Sequence, residues 1–348
     1  MKFRLNDMQR YLVEEFVEEY KEGRMSRRDL LKRVLGITGG VASAATLLLA
    51  FGCQPEQPRA TPSSPAPGTQ APAAAPTTGP TGTPAPAPRP AGTGTPAPGT
   101  PAPQPTPAGG RVNVPVPPDD PAITAADITF PGDGASLMGY LAQPKTGAPF
   151  AAVMVCHENR GLVEHIRDVT RRLAKAGFAA LAVDLLSREG GTAKVDPAQV
   201  PGKLSANPEQ GVADFQAAFR YLNDQPFIRK GAIGMVGFCY GGGITWRTAV
   251  ALPELKAAVP YYGPAPAEGD VAKIQAAVLA IYGGNDQRIT STQPTMEAAM
   301  KRAGKTFESV VYPGAGHAFS NDTGANYNEQ AANDAWQKTL AWFRKYLG

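Results

Sequence analysis

The chain has 348 residues and a formal net charge of +4, with 34 lysines and arginines against 30 aspartates and glutamates. The excess lies in the first 118 residues, because residues 119–348 carry 22 basic and 22 acidic side chains. A neutral domain has no electrostatic surface for nucleic acid, which argues against a nucleic-acid-binding protein. The cysteines, at 53, 156 and 239, lack metal-ligand spacing and argue against a disulfide framework.

Composition divides the chain into three unlike segments. Residues 1–53 have a charged start and then an apolar run, and residues 54–118 are mostly Pro, Ala, Thr and Gly. About half of the 35 prolines lie in residues 54–110, and the whole middle segment, 54–118, has too little apolar surface for a core and is predicted to be a disordered linker. Residues 119–348 have an ordinary globular composition and are long enough for one well-buried domain.

The first segment carries features of an export signal. The stretch SRRDLLK at 26–32 matches the twin-arginine pattern, and an apolar run from Val34 to Phe51 follows it. A Gly precedes Cys53, as in a lipoprotein processing site, although Phe51 departs from that pattern. We therefore expect export to the periplasm or cell surface by the twin-arginine route. Two features could hold the protein at a membrane: a lipid on Cys53 or the uncleaved apolar run.

From residue 127 onward, short β-rich stretches alternate with amphipathic helical ones, which is typical of parallel strands joined by crossover helices. The pattern predicts a single globular domain with a mostly parallel, doubly wound α/β sheet flanked by helices. Ligand sites in such sheets form at the carboxyl ends of the strands. The predicted strands lie near 128–130, 136–142, 151–156, 178–183, 232–236, 257–261, 277–282 and 307–312, and the helices at 163–176, 208–223, 241–251, 292–303 and 328–346.

The stretch GMVGFCYGGG at 234–243 leads from a predicted strand through a tight turn into a helix. This small-X-nucleophile-X-small spacing is a nucleophile elbow with Cys239 in the place of the usual serine. Gly237 and Gly241 remove side chains where strand and helix approach each other. The helix N-terminus favours a thiolate at Cys239. Cys156, in an apolar strand, is predicted to be a buried structural thiol.

The predicted partners of Cys239 follow two later strands. Asp286 ends the loop after one strand, and His317 ends the loop after the last one. The order nucleophile, acid, histidine is that of the α/β-hydrolases. Asp322 competes with Asp286 as the carboxylate that orients His317, and the strand context favours Asp286. His165 is predicted to lie at a helix surface.

Residues 125–348 resemble the dienelactone hydrolase family. The resemblance is carried by GFCYGG at 237–242, by HENRG at 157–161 and by DLLSR at 184–188. It implies an α/β-hydrolase fold across the whole globular segment.

The resemblance also implies roles for residues outside the triad. Glu158 would contact the resting thiol and help to remove its proton when substrate arrives. The backbone N–H groups of Asn159 and Tyr240 would form the oxyanion hole.

Two arginines bind the substrate carboxylate in the family, and this chain matches only one of them. Arg188 corresponds to the first, but the position of the second, four residues after the catalytic histidine, is Asn321. This substitution removes a bidentate charge partner. Arg160, in the loop of Glu158, is a candidate replacement.

The sequence therefore predicts a hydrolase that cleaves a small ester or lactone through a thioester on Cys239, without a metal, an organic cofactor or a protein partner. Two alternatives remain open. One is a general carboxylesterase for uncharged esters, and the other is a non-catalytic cell-surface binding module that keeps the hydrolase fold.

Overall fold

The computed structural model describes residues 5–40, 44, 48 and 114–348, and the described residues on both sides of the gap pack into one unit. Cys53 and most of the expected linker lie outside the described residues. Val116 is already buried, and its carbonyl accepts a hydrogen bond from Arg171, so the packed chain begins slightly before the boundary expected at 118.

A single sheet of eight strands organises the described part of the chain, in the order β1-β2-β4-β3-β5-β6-β7-β8. Strand β2 pairs antiparallel with β1 and β4, and every other pair is parallel. The doubly wound architecture and all eight predicted strands are confirmed. The strands are β1 (Ile123–Pro131), β2 (Ser136–Pro144), β3 (Phe150–Cys156), β4 (Ala179–Asp184), β5 (Ile228–Phe238), β6 (Ala257–Tyr261), β7 (Ala277–Gly283) and β8 (Phe307–Tyr312).

The core lies on both faces of the central strands. Every residue of β3, β4 and β7 is buried, which explains why these strands are nearly continuous apolar runs. Helices cover both faces: α3 (Glu164–Lys175), α4 (Val200–Ala206), α5 (Pro208–Asn223), α6 (Tyr240–Ala251), α7 (Gln287–Thr290), α8 (Gln293–Arg302) and α9 (Glu329–Leu347).

Two further helices, α1 (Asp7–Lys21) and α2 (Arg27–Thr38), lie in the segment expected to be an export leader. The Asn6 side chain caps α1 in a reciprocal capping box with Gln9. The buried side chains of α1 are mostly apolar, and each large one contributes about 1.5–3 kcal/mol on burial. The buried apolar side chains of α1 are Met8, Tyr11, Leu12, Val13, Phe16 and Val17.

Helix α2 packs closely on α4. A Cβ added to Gly202 would overlap the carbonyl oxygen of Gly36, so the two backbones meet where neither residue has a side chain. Ser26 caps α2 and places Arg27 and Arg28 in its first turn, with Arg28 exposed. None of the helices in the described ranges is long and apolar enough to cross a membrane.

Candidate active site

The turn between β5 and α6 places Cys239 at the carboxyl end of the sheet. Cys239 has φ 55° and ψ −118°, a strained conformation for a residue with a side chain. A Cβ on Gly237 would overlap the Gly241 carbonyl oxygen, and one on Gly241 would lie 2.5 Å from the carbonyl oxygen of His157. The glycines therefore permit the sharp turn that projects the Cys239 thiol from the first turn of the helix.

Asp286 and His317 meet beside this turn. The His317 Nδ1 lies 2.6 Å from Asp286 Oδ2, and the Asn326 side chain donates a hydrogen bond to the His317 carbonyl. The ring of Tyr262 contacts the imidazole edge to face at 5.1 Å. Burial raises the pKa of Asp286, but the hydrogen bond and charge of His317 outweigh this effect and leave it below its ordinary value. Asp286 is thus an ionised partner that holds the imidazole in one orientation.

Asp322, the competing acid, is engaged elsewhere. Its carboxylate lies 2.7 Å from Arg172 and 3.3 Å from Nδ1 of His165. Hydrogen bonds from His165 and Arg172 lower the pKa of Asp322 far below its ordinary value. The surface position predicted for His165 is wrong, because the loop that carries Asp322 covers this histidine and buries it.

Helix α1 lies directly over the nucleophile. The Tyr11 hydroxyl donates to Cys239 Sγ at 3.4 Å, and the two carboxylate oxygens of Glu15 lie 3.4 and 3.6 Å from Sγ. Glu15 Oε2 is also 3.7 Å from His317 Nε2, and Glu15 Oε1 accepts a hydrogen bond from the Asn159 side chain at 2.8 Å. Glu15 is therefore held between the nucleophile and the base.

These contacts change the ionisation of both catalytic groups. Burial and then the charge of Glu15 raise the pKa of the Cys239 thiol to about 11. Burial lowers the pKa of His317, but the charges of Glu15 and Asp286 outweigh it and bring the pKa well above its usual value. Both groups are consequently protonated near neutral pH. Ligand atoms of Glu15, Cys239 and His317 all lie within 4.8 Å of one another, close enough to hold a metal ion.

Arg288, two residues after Asp286, brings a guanidinium close to the carboxylates beside the nucleophile. Its side chain is 14% exposed and lies 3.5–4.0 Å from the carboxylates of Glu15, Glu18 and Asp286. The guanidinium also stacks over the Tyr11 ring at 4.5 Å. None of its three nitrogens makes a hydrogen bond with a described residue, so its contacts with these carboxylates are ion pairs at longer range.

Glu158 does not contact the thiol in this structure. Its Oε2 accepts a hydrogen bond at 2.8 Å from Asn321, and its Oε1 is buried without a hydrogen-bond partner among the described residues. The residue at the family's second arginine position thus holds Glu158, and Glu15 takes the place beside Cys239 that the sequence assigns to Glu158. The physical cause is helix α1, whose buried face inserts Glu15 there.

The two arginines predicted to bind substrate lie in different environments. Arg188 pairs with the buried Asp214 at 2.8 Å and is not among the residues that line the cavity beside Cys239. Arg160 is exposed and lines that cavity, which has a volume of about 250 Å³ and also reaches Asn321. The structure therefore brings Arg160, but not Arg188, to the site.

The expected oxyanion donors flank the nucleophile. Tyr240 is the first residue of α6, so its backbone N–H has no acceptor within the helix. Asn159 lies in the turn that follows β3, in a loop closed by a hydrogen bond between Gly161 and Glu158.

Sequence reasoning missed Tyr11, Glu15 and Arg288. The capping box at Asn6 and the helical spacing of apolar residues from Met8 to Phe16 could have revealed the helix. No pattern within the segment indicates that this helix covers Cys239.

Comparisons with known proteins identify the family and the fold of this chain. Residues 137–347 match the model of the Dienelactone hydrolase family. Proteins of Methylorubrum extorquens and Escherichia coli K12, both provisionally named carboxymethylenebutenolidase, are 36% and 37% identical to this chain. The alignments cover 66% of this chain and 83% and 90% of the relatives. A provisionally named dienelactone hydrolase structure from Klebsiella pneumoniae has a TM-score of 0.61 at 36% identity, covering 65% of this chain and all of that one. The α/β-hydrolase fold expected from the sequence is confirmed.

Proposed function

This chain belongs to the dienelactone hydrolase family and is a carboxylic ester hydrolase, and from that premise we propose that it cleaves a small ester or lactone through a thioester on Cys239. The observation that supports this mechanism best is the 2.6 Å contact between His317 Nδ1 and Asp286 beside a cysteine held in the strained elbow conformation. A histidine oriented by a carboxylate next to a nucleophile is the arrangement that acyl transfer requires.

The proposed reaction begins when His317 removes the thiol proton and the Cys239 thiolate attacks the carbonyl carbon. The backbone N–H groups of Asn159 and Tyr240 stabilise the oxyanion, an effect typically worth about 3 kcal/mol per donor. The intermediate collapses, the C–O bond to the leaving alkoxide breaks, and the imidazolium gives that oxygen its proton.

Hydrolysis of the thioester completes the cycle. His317 takes a proton from water, the resulting hydroxide attacks the thioester carbonyl, and the C–S bond breaks. The acid leaves and Cys239 returns to the thiol form after proton transfer from the imidazolium. Asp286 stabilises the imidazolium in both halves of the reaction.

The substrate class depends on whether a cation in the site can bind a carboxylate of the substrate. Arg160 lines the cavity, and Arg288 lies 3.9 Å from Glu15, the carboxylate that contacts Cys239, so a substrate with a carboxylate has two candidate partners even though Arg188 is paired with Asp214. We propose a carboxylate-bearing ester or lactone on this basis. The alternative is a general esterase for uncharged esters.

A panel of substrates tests both the proposed mechanism and the proposed substrate class. Aryl esters that differ only in the presence of a carboxylate are assayed on the full chain. Because α1 covers Cys239, the same esters are also assayed on a chain that has been cleaved at a protease site placed in residues 54–110. Mass spectrometry then searches for an acyl group on Cys239 at short times. Turnover without acylation of Cys239 would contradict the mechanism, and a preference for uncharged esters would favour the general esterase.

We also propose that residues 1–53 direct export through the twin-arginine route. The exposed position of Arg28 at the start of α2 supports this, since the transport route must contact both arginines. Arg27→Lys together with Arg28→Lys is expected to retain the precursor in the cytoplasm, whereas Cys53→Ala is expected to release the protein from membranes. Normal export of the double variant would refute the route, and unchanged membrane retention would point to the apolar run as anchor.

A further inference from the structure

We propose that helix α1 is a built-in inhibitor of the hydrolase, which closes the active site while it is docked and opens it when it leaves. The proposal rests on the proposed function, because it concerns access to the same Cys239. It is carried by the contacts of Tyr11 and Glu15, which belong to no part of the family match at 137–347.

Docked α1 excludes substrate by occupying its position. A carbonyl carbon must come within about 3–3.5 Å of the sulfur before it can react. The Tyr11 hydroxyl and both carboxylate oxygens of Glu15 already lie 3.4–3.6 Å from Cys239 Sγ. Glu15 further takes the side-chain donor of Asn159, next to the expected oxyanion hole. A substrate cannot reach the nucleophile until these atoms move.

The same carboxylate opposes the chemistry. Glu15 favours the neutral thiol at Cys239 and the protonated imidazole at His317, as the pKa shifts of both groups show. A protonated histidine cannot accept the thiol proton, and a carboxylate beside the carbonyl would repel the developing oxyanion. Glu15 therefore blocks the site electrostatically as well as sterically.

Helix α1 is held by side-chain contacts and pairs with no strand of the sheet. Its apolar side chains join the core, and at its N-terminus Asp7 pairs with Arg247 while Asn6 donates to the carbonyl of Ser205 at 2.8 Å. The chain between residues 54 and 113 separates it from the catalytic domain in sequence. A tether of this kind gives a docked segment a high effective concentration, which is lost once the tether is cut.

Processing provides a physical trigger. The segment that carries α1 also carries the twin-arginine stretch, and cleavage at Cys53 would separate both from the catalytic domain. The precursor would then be inactive before export and active after processing.

Cleavage of the tether tests the proposal on the complete protein. A protease site is placed in residues 54–110, and the cleaved protein is diluted so that the α1 segment dissociates. Two rates are measured before and after: hydrolysis of an activated aryl ester, and alkylation of Cys239 by iodoacetamide mapped by peptide mass spectrometry. The buried Cys156 serves as the internal reference.

We expect both rates to rise about ten-fold or more after cleavage and dilution, because the docked state dominates the intact chain. Addition of a synthetic peptide of residues 5–40 is expected to lower both rates again. Equal alkylation rates before and after would overturn the inhibitor proposal. Faster alkylation without any ester hydrolysis would support it while contradicting the proposed function.

Point variants in the uncut chain cover the case in which the cleaved segment stays bound. Leu12→Asp with Phe16→Asp places charges on the buried face of α1 and is expected to raise both rates. Arg10→Gln, at an exposed position of the same helix, is the matched control and is expected to change neither. Glu15→Gln distinguishes an inhibitory from a catalytic carboxylate: it is expected to raise the rates, and a large fall in turnover would overturn the proposal.

Discussion

The two sides of the active site are built in different ways. Cys239, Asp286 and His317 lie on loops that follow β5, β7 and β8, and the pairing of those strands fixes their mutual distances. Tyr11 and Glu15 reach the same point on one amphipathic helix that belongs to no sheet. The catalytic groups therefore cannot separate without loss of the core, whereas we propose that the covering helix, which pairs with no strand, can leave while the sheet stays folded.

This difference also separates what each side contributes. The strand ends supply a nucleophile, a base and an orienting carboxylate in a rigid frame, as a reaction requires. The helix supplies a hydroxyl and a carboxylate that satisfy the same groups in the absence of substrate. The predictions below act on one side at a time, and the expected effects decrease from the first to the last.

Loss of the nucleophile removes the chemistry of the strand-end loops completely. Cys239→Ala is expected to reduce ester hydrolysis by the cleaved, diluted chain at least about a thousand-fold, because no other group at the elbow can form the acyl intermediate. Cys156→Ala is the control, since Cys156 is buried inside β3. Comparable losses of ester hydrolysis in both variants would contradict the assignment of Cys239 as the nucleophile.

The pH dependence of thiol alkylation sharpens the comparison. With α1 docked, the pKa of Cys239 is raised to about 11, so the thiolate is scarce at pH 7 and increases steadily as the pH rises. Release removes Glu15 and part of the burial, and the pKa is expected to fall toward the usual thiol value of about 8.5. Among the described residues, the charged and titratable groups that interact with Cys239 are Tyr11, Glu15, Cys156, Glu158, Tyr262, Arg288 and His317.

Iodoacetamide rates between pH 7 and 9.5 measure this shift. The rate for the intact chain is expected to rise without levelling, and the rate for the cleaved, diluted chain to level off within the range. Superimposable profiles would mean that α1 does not control the thiol.

A change far from the catalytic groups should open the site. In Gly202→Ala the added methyl group would overlap the carbonyl oxygen of Gly36, so α2 is expected to move away from α4. Because α1 packs on α2, we expect the intact chain to gain about ten-fold in hydrolysis, with no gain in a chain already cleaved and diluted. Gly211→Ala is the matched control, since its added Cβ would meet only ordinary contacts at 3.5 Å. A similar gain in hydrolysis for Gly211→Ala would mean that the effect comes from the higher helix propensity of alanine and not from the displacement of α2.

The sequence predicted the strands and the triad because both leave local patterns. Short, nearly continuous apolar runs mark the central strands, and Cys239, Asp286 and His317 each lie in a glycine-rich loop that follows a strand. The contact between Glu15 and Cys239 spans 224 positions and leaves no such pattern.

Contacts between loops also escaped prediction. The hydrogen bond between Asn321 and Glu158 depends on how two loops approach each other. Burial of His165 depends on Asp322, which a distant loop brings over α3. Sequence periodicity reports the environment along one element, and these contacts join separate ones.

The choice of cation for the substrate gives the narrowest expected effect, on one ester only. Arg288→Gln in the cleaved, diluted chain is expected to raise KM for the carboxylate-bearing ester at least about ten-fold, because a charge-assisted hydrogen bond contributes at least about 1.5 kcal/mol. The uncharged ester should show little change in KM. Arg188→Gln is the comparison variant, and because Arg188 is paired with Asp214 it should affect both esters equally. The opposite pattern, with a selective effect at Arg188, would place the substrate carboxylate at Arg188 and outside the cavity that Glu15 lines.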